Sequence, residues 1–110
     1  MIYLASDSKA RKKLLQVLGL KFRVIPGNVK ERKSAKGTSY AKFVKSNALN
    51  KAKDASSKVK GGIIIAADTI VVQGRKIFGK PKDLAAARKM LKALSSRPQW
   101  LYTGLAVIDR

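Results

Sequence analysis

Six acidic residues are available for acid–base or metal chemistry in this 110-residue chain: Asp7, Glu31, Asp54, Asp68, Asp83 and Asp109. Asp83 is expected to cap a helix and Asp54 to form a surface pair among lysines, whereas Asp68 directly follows the apolar run of residues 63–67. A carboxylate at the end of a core strand must be solvated, hydrogen-bonded, paired with a cation or bound to a metal. Open α/β sheets also bind ligands beyond the carboxyl ends of their strands. Asp68 is therefore the leading candidate for a general base or metal ligand, with a single structural salt bridge as the alternative.

Three groups of polar or basic residues could bind an anion near this carboxylate. Ser6-x-Ser8-x-x-Arg11 joins a strand to a helix N-terminus, where hydroxyls, free N–H groups and a guanidinium can hold phosphate. On spacing alone, helix capping plus a surface arginine explains the same pattern. Lys80 lies in a tight turn and Lys51 beside the apolar stripe of a long helix, and both are also compatible with solvated surface lysines.

The composition narrows the classes of chemistry that the chain can perform. It has no Cys and no His, which excludes disulfides, thiolate chemistry, Ser-His-Asp triads and the common zinc sites. The 25 Lys and Arg residues against 6 acids give a net charge of +19, which attracts polyanions. Because the cations are spread along the chain and aromatic content is only 6%, we interpret them as a solvated surface with incidental nucleic-acid binding.

The apolar patterning predicts one α/β domain over residues 1–110, with a mixed sheet and flanking helices in the order β-α-β-α-β-β-α-β. Strands are predicted at residues 2–5, 22–25, 63–67 with an extended continuation through 69–72, 76–78 and 100–108. The final strand lacks a following element, so we expect it to pair with a further segment or with a second copy. No segment is long enough to span a membrane and the N-terminus does not resemble a signal peptide, which favours a cytoplasmic protein.

The three predicted helices carry recognisable start and stop signals. The first begins after Ser8, is expected to bury Leu14, Leu15 and Leu18, and ends at Gly19. The second is capped by Thr38 or Ser39 and runs to Gly61-Gly62, with Asp83 capping the third. In the second helix the apolar residues recur at helical spacing: Tyr40, Val44, Ala48, Ala52, Ala55 and Val59.

Four segments in order combine these candidate residues: Leu4-Ala5-Ser6-x-Ser8-x-x-Arg11, Asn47-Ala48-Leu49-Asn50-Lys51-Ala52, Ala67-Asp68-Thr69-Ile70-Val71-Val72 and Phe78-Gly79-Lys80-Pro81-Lys82-Asp83. Together they resemble the Maf family of nucleotide pyrophosphatases, and the likeness covers essentially the whole chain. The resemblance implies a Maf/ITPase-like fold and hydrolysis of nucleoside triphosphates, dTTP and UTP above all, to a monophosphate and pyrophosphate. It also implies a divalent metal cofactor (Mg²⁺ or Mn²⁺) and a possible homodimer.

The resemblance assigns roles to particular positions. The proton-accepting aspartate falls on Asp68, the neighbouring specificity position on Thr69, and a metal-binding acid on Glu31 together with Asp68. The phosphate-contacting groups fall on Ser6, Ser8, Arg11, Lys51 and Lys80.

The chain departs from the family pattern inside the site. Ala10 stands where the family has an arginine tied to substrate choice, and Lys13 stands where it has a glutamate. Family members also continue well beyond this length, so we expect the N-terminal portion of the family fold and weak or absent catalysis. The alternative hypothesis is a catalytically degraded basic protein that binds nucleotides or nucleic acid.

Overall fold

The computed structural model describes residues 1–26, 37–78 and 83–110. Within them the elements follow the predicted order, and their bounds are β1 (Ile2–Leu4), α1 (Lys9–Val17), β2 (Phe22–Val24), α2 (Tyr40–Ser56), β3 (Ile63–Gln73), β4 (Lys76–Phe78), α3 (Leu84–Ser95) and β5 (Trp100–Asp109). No helix among these residues is long and apolar enough to cross a membrane.

The five strands form a mixed sheet in the order β2-β1-β3-β4, with β5 also paired to β3. β1 is parallel to both of its neighbours, with Ile2 opposite Phe22 on one side and Ile63 on the other. β3 and β4 are antiparallel, with Val72 opposite Ile77. The predicted α/β class and mixed sheet are thus confirmed.

The strand order places α1 and α2 on opposite faces of the sheet. α1 leads from β1 to β2, and α2 leads from β2 back past β1 to β3. Connections between parallel strands are right-handed, so two connections that run in opposite directions along the sheet put their helices on opposite faces. Side chains from both faces can therefore reach the carboxyl end of β1 and the middle of β3.

The described residues belong to two compact units, Met1–Asp68 with Thr103–Arg110, and Thr69–Tyr102. The core of the first unit forms where α2 packs on the sheet through small residues. Its buried members are Ala5, Ile25, Ala48, Ala52, Ala55, Ile64, Ala66 and Ala106.

A close approach between β5 and α2 depends on Gly104. A Cβ at this position would meet the carbonyl group of Val44 and lie 2.6 Å from the backbone nitrogen of Lys45. Because backbone atoms cannot move aside as a side-chain tip can, only glycine fits here without shifting the strand or the helix.

The second unit contains the β3–β4 hairpin and α3. The side chain of Asp83 accepts a hydrogen bond from the Ala86 N–H at 2.8 Å, as its predicted role as a helix cap requires. At the other end of α3, the Gln73 side-chain amide donates to the carbonyl groups of Ala93 at 2.9 Å and Arg97 at 3.0 Å. Ala93 lies in the last turn of α3 and Arg97 just beyond its Ser96 cap, so these two bonds tie the end of α3 to β3.

Two sequence-based expectations about the helices are wrong in part. In α1 only Leu15 of the predicted stripe is buried, while Leu14 and Leu18 are 59% and 64% exposed. Arg11 and Leu15 lie one turn apart on the inward side of α1. Leu14 is about 100° from Leu15 around the helix axis. In addition, α2 begins after the Ser39 cap but ends at Ser56, before Gly61.

Candidate functional site

Asp68 lies in the middle of β3 and is buried, with 5% of its surface exposed. The expectation that it follows the end of a strand is therefore wrong: β3 continues through it to Gln73. The strand can continue because the carboxylate has partners on both oxygens. Oδ2 accepts a hydrogen bond from the Asn47 side-chain amide at 3.0 Å, and Oδ1 lies 3.6 Å from the ammonium nitrogen of Lys51.

Helix α2 delivers both of these partners from one face. Asn47 and Lys51 are four residues apart, so their side chains lie on the same side of the helix, one turn from each other. Ala48 and Ala52, which directly follow Asn47 and Lys51, are completely buried against the sheet. The small alanines bring α2 close enough to the sheet for the two polar side chains to reach Asp68.

The segment between β1 and α1 delivers the second group of polar side chains. The Ser8 hydroxyl accepts a hydrogen bond from the Arg11 N–H at 3.3 Å and so caps α1. The Ser6 hydroxyl is buried and accepts bonds from the Ser8 N–H at 3.1 Å and from the Arg11 guanidinium at 3.4 Å. The capping interpretation of Ser8 is confirmed, whereas Arg11 is not a plain surface residue.

Arg11 and Lys51 meet at one backbone oxygen. The Arg11 guanidinium donates to the Ala67 carbonyl at 3.0 Å, and the Lys51 ammonium donates to the same oxygen at 3.4 Å. The preceding carbonyl on that side of β3, Ile65, accepts from the Ala5 N–H at 2.8 Å, just beyond the end of β1. After Ala5 the segment that follows β1 no longer pairs with β3. The next carbonyl on this side of β3, that of Ala67, therefore accepts from the two cations and not from a strand.

This arrangement concentrates positive charge beside a single buried carboxylate. The helices approach from opposite faces of the sheet, and their cationic heads share one acceptor next to Asp68. Because Asp68 pairs with Lys51, these three groups carry one net positive charge, and charged hydrogen bonds to phosphate are among the strongest that proteins make. The site is therefore chemically suited to an anion such as phosphate.

Four further residues have predicted roles in the site. Glu31 and Lys80 lie outside the described residues. Ala10 is exposed on α1, and Thr69 is exposed at the start of the second unit. Their roles stay predictions.

A divalent metal ion is compatible with the carboxylate present. Among the described residues, no three His, Cys, Asp or Glu side chains lie close enough together to hold a metal ion. Mg²⁺ does not need one, because it is often bound by one or two carboxylates together with substrate phosphate oxygens and water. Asp68 supplies such a carboxylate, and the cationic groups beside it are suited to the phosphates.

Asn47 is the site residue that the sequence-based assignment missed. Asn47 belongs to the motif of residues 47–52, in which the sequence predicts a role for Lys51 alone. The spacing of four residues between Asn47 and Lys51 was the available signal, because it places both side chains on one helical face.

Fold and site together define an α/β protein in which two helices bring a guanidinium and an ammonium group to the backbone next to a buried aspartate. The family model for the Maf-like protein matches residues 1–110. The chain belongs to this family.

Relatives named dTTP/UTP pyrophosphatase are similar over almost the whole chain. The one from Ruminiclostridium cellulolyticum is 42% identical over 108 residues, which cover 98% of this chain and 56% of the relative. Those from Thermoanaerobacter sp. and Caldanaerobacter subterraneus are 45% and 44% identical, covering 97% of this chain and 56% and 51% of the relatives. The chain thus spans about half the length of the curated relatives it matches, in agreement with the expectation that family members are longer.

Proposed function

We propose that this chain carries the phosphate-binding and proton-accepting part of a nucleoside triphosphate pyrophosphatase. The substrates would be nucleoside triphosphates of the dTTP and UTP type, and the products a nucleoside monophosphate and pyrophosphate. The names of the relatives support this assignment. The observation that carries it is the meeting of Arg11 and Lys51 at the Ala67 carbonyl beside Asp68.

The proposed reaction is attack of water on the α-phosphorus. Asp68 accepts a proton from the water, a new phosphorus–oxygen bond forms, and the bond from the α-phosphorus to the oxygen bridging to the β-phosphorus breaks. Pyrophosphate leaves with the electron pair of that bond. Arg11 and Lys51 bind the phosphates and offset the negative charge that develops on the leaving group.

A divalent cation is part of the proposal, with Asp68 and Glu31 as the residues that would hold it. When bound, such a cation lowers the pKa of a water molecule and neutralises charge on pyrophosphate. Ser6 and Ser8 would contribute to phosphate binding at the N-terminus of α1, and Lys80 and Thr69 would contact the phosphates and the base.

The departures from the family pattern predict slow turnover. Ala10 cannot make the charged hydrogen bonds of the arginine that the family has there, and such bonds contribute about 1.5–3 kcal/mol each. Lys13 places a cation where the family has a carboxylate. We therefore expect hydrolysis by this chain to be weak or absent.

Release of pyrophosphate from dTTP and UTP, with and without Mg²⁺, tests this proposal. Any release of pyrophosphate by the unaltered chain should be slow and should require the metal. Asp68→Asn should abolish release, whereas Asp54→Asn, which makes the same change in charge on α2, should leave the rate unchanged. Equal rates for Asp68→Asn and the unaltered chain would contradict the assignment.

The net charge of +19 favours a second candidate function, binding of nucleic acid by a chain without catalysis. Binding of single- and double-stranded DNA and RNA across a salt series separates the two. Tight binding that persists at physiological salt would support the second function, and steep loss with salt would indicate generic attraction of charge. We also propose homodimerisation, which light scattering over a concentration series would detect.

A further inference from the structure

We propose that Asn47 is a positioning residue that fixes the orientation of the Asp68 carboxylate. This inference rests on the proposed function, because the orientation matters most if Asp68 accepts a proton from an attacking water. Asn47 itself would not contact substrate. Its role would be to hold the carboxylate so that one oxygen stays directed toward the site.

The contact between the two side chains is short and buried. The Asn47 amide nitrogen donates to Asp68 Oδ2 at 3.0 Å, and only 3% of the Asn47 surface is exposed. Buried polar side chains are almost always hydrogen-bonded, because a lost partner cannot be replaced by solvent. Replacement of Asn47 by water as the partner of Asp68 is thus disfavoured. We expect this hydrogen bond to persist when substrate binds and leaves.

The two oxygens of Asp68 have partners of different kinds. Lys51 lies 3.6 Å from Oδ1, beyond the range of a good hydrogen bond. Lys51 also reaches the Ala67 carbonyl, so its flexible side chain can follow a phosphate group without releasing Asp68 entirely. The Asn47 amide is buried and uncharged, and its hydrogen bond to Asp68 is short. Asn47 is consequently the better anchor, and Lys51 the better ligand for a moving anion.

A neutral donor also suits this position better than a cation would. A second ammonium or guanidinium group at position 47 would compete with the metal ion and substrate for the carboxylate. An amide holds Oδ2 by one hydrogen bond but does not neutralise the carboxylate, so Oδ1 can still attract a cation. The result is a carboxylate with one oxygen held and the other directed at Lys51.

Helix α2 provides a matched control for this inference. Asn50 is an exposed asparagine on the same helix, so the same substitution can be made at both positions. Asn47→Leu keeps the approximate size of the side chain but removes the donor, and Asn47→Asp replaces the donor with a carboxylate. Asn50→Leu and Asn50→Asp change the helix composition in the same way without touching Asp68.

The first measurement is the carbon NMR spectrum of the aspartate carboxyl groups, which does not depend on activity. The chain has five aspartates, so each carboxyl signal can be assigned by substitution. The Asp68 signal should move in Asn47→Leu and stay in place in Asn50→Leu. An unmoved Asp68 signal would overturn the proposal whether or not the chain is active.

The second measurement is the steady-state rate of pyrophosphate release from dTTP. We expect Asn47→Leu and Asn47→Asp to lower kcat about 10- to 100-fold, the scale seen when a group that orients a catalytic ligand is removed. KM should change less than about 3-fold, because Arg11 and Lys51 still bind the phosphates. A shifted carboxyl signal with kcat unchanged, or a loss confined to KM, would show that the contact is structural and would also overturn the proposal.

Failure of the proposed function gives a different result from failure of this inference. If the unaltered chain releases no pyrophosphate, the result contradicts the proposed activity, and Asn47 then has no positioning role in catalysis. The NMR result then still decides whether Asn47 orients the carboxylate.

Discussion

Replacement of Lys51 by methionine should destabilise the fold through the buried Asp68 carboxylate. The Lys51 ammonium is 3.6 Å from Asp68 Oδ1, and the two side chains are 16% and 7% exposed. At an effective dielectric constant of about 20, two unit charges at this distance attract by roughly 4–5 kcal/mol. Removing the lysine also removes the cost of burying it, which offsets part of this loss. We expect a net loss of about 2–3 kcal/mol in the free energy of unfolding.

Urea unfolding followed by circular dichroism at 222 nm measures this quantity, with Lys53→Met as the control. Lys53 is exposed on the same helix, and its replacement should change stability by less than about 0.5 kcal/mol. Combining Lys51→Met with Asp68→Asn should recover most of the loss, because no buried charge is then left without its cation. Strictly additive effects, or equal effects of Lys51→Met and Lys53→Met, would refute the reasoning.

Three further predictions concern packing, capping and substrate affinity. Gly104→Ala should lower the free energy of unfolding by about 1–3 kcal/mol or more, measured by urea unfolding, because the added Cβ meets the Val44 carbonyl group; Gly19→Ala, in open space but at a positive φ, should cost only about 1 kcal/mol. Asp83→Ala should cost about 1 kcal/mol, with faster amide exchange at Ala86, and unchanged exchange there would contradict the cap. Ala10→Arg should lower the KM for dTTP about 10-fold, and no change would show that this position does not contact substrate.

The order of the elements could be predicted because each carries a local signal. The apolar run of β3, the serine and aspartate caps, and Gly19 at the end of α1 are all set by neighbours in sequence. Such signals depend on backbone preference and periodicity, which do not require knowledge of the fold.

The rotation of α1 could not be predicted in the same way. Leu14, Leu15 and Leu18 are equally apolar, and only tertiary contacts decide which of them faces the sheet. In the structure the inward side is shared by Leu15 and Arg11, and Arg11 is drawn inward by the Ala67 carbonyl. The side of α1 that faces the sheet is thus set by tertiary contacts, which no local pattern in α1 specifies.

The need of Asp68 for a partner could be predicted from the sequence, but the way in which the fold supplies that partner could not. Asp68 was identified as a carboxylate that needed a partner, and both a hydrogen bond and an ion pair are present. Its place inside β3 was not foreseen, because a buried charge within a strand is unfavourable until its partners are known. Those partners come from α2, which lies about 20 residues away in sequence, at a distance that no local pattern spans.

The shared binding of the Ala67 carbonyl by two cations also depends on the fold. It requires β1 to end before β3 does, and two helices to approach from opposite faces of the sheet. Neither condition can be read from the spacing of Arg11 or Lys51.

The affinity for dTTP at physiological salt tests the central claim most directly, that Arg11 and Lys51 form a triphosphate-binding site beside Asp68. The comparison is between the double variant Arg11→Ala/Lys51→Ala and the control Lys12→Ala/Lys53→Ala, which carries the same net charge on the same two helices. The proposed site would lose two charged hydrogen bonds to phosphate, so the site variant should bind dTTP roughly 100-fold more weakly than the unaltered chain, and the control less than about 3-fold more weakly. Equal losses in the two double variants would contradict the account, because they would show that dTTP responds to overall charge and not to this site.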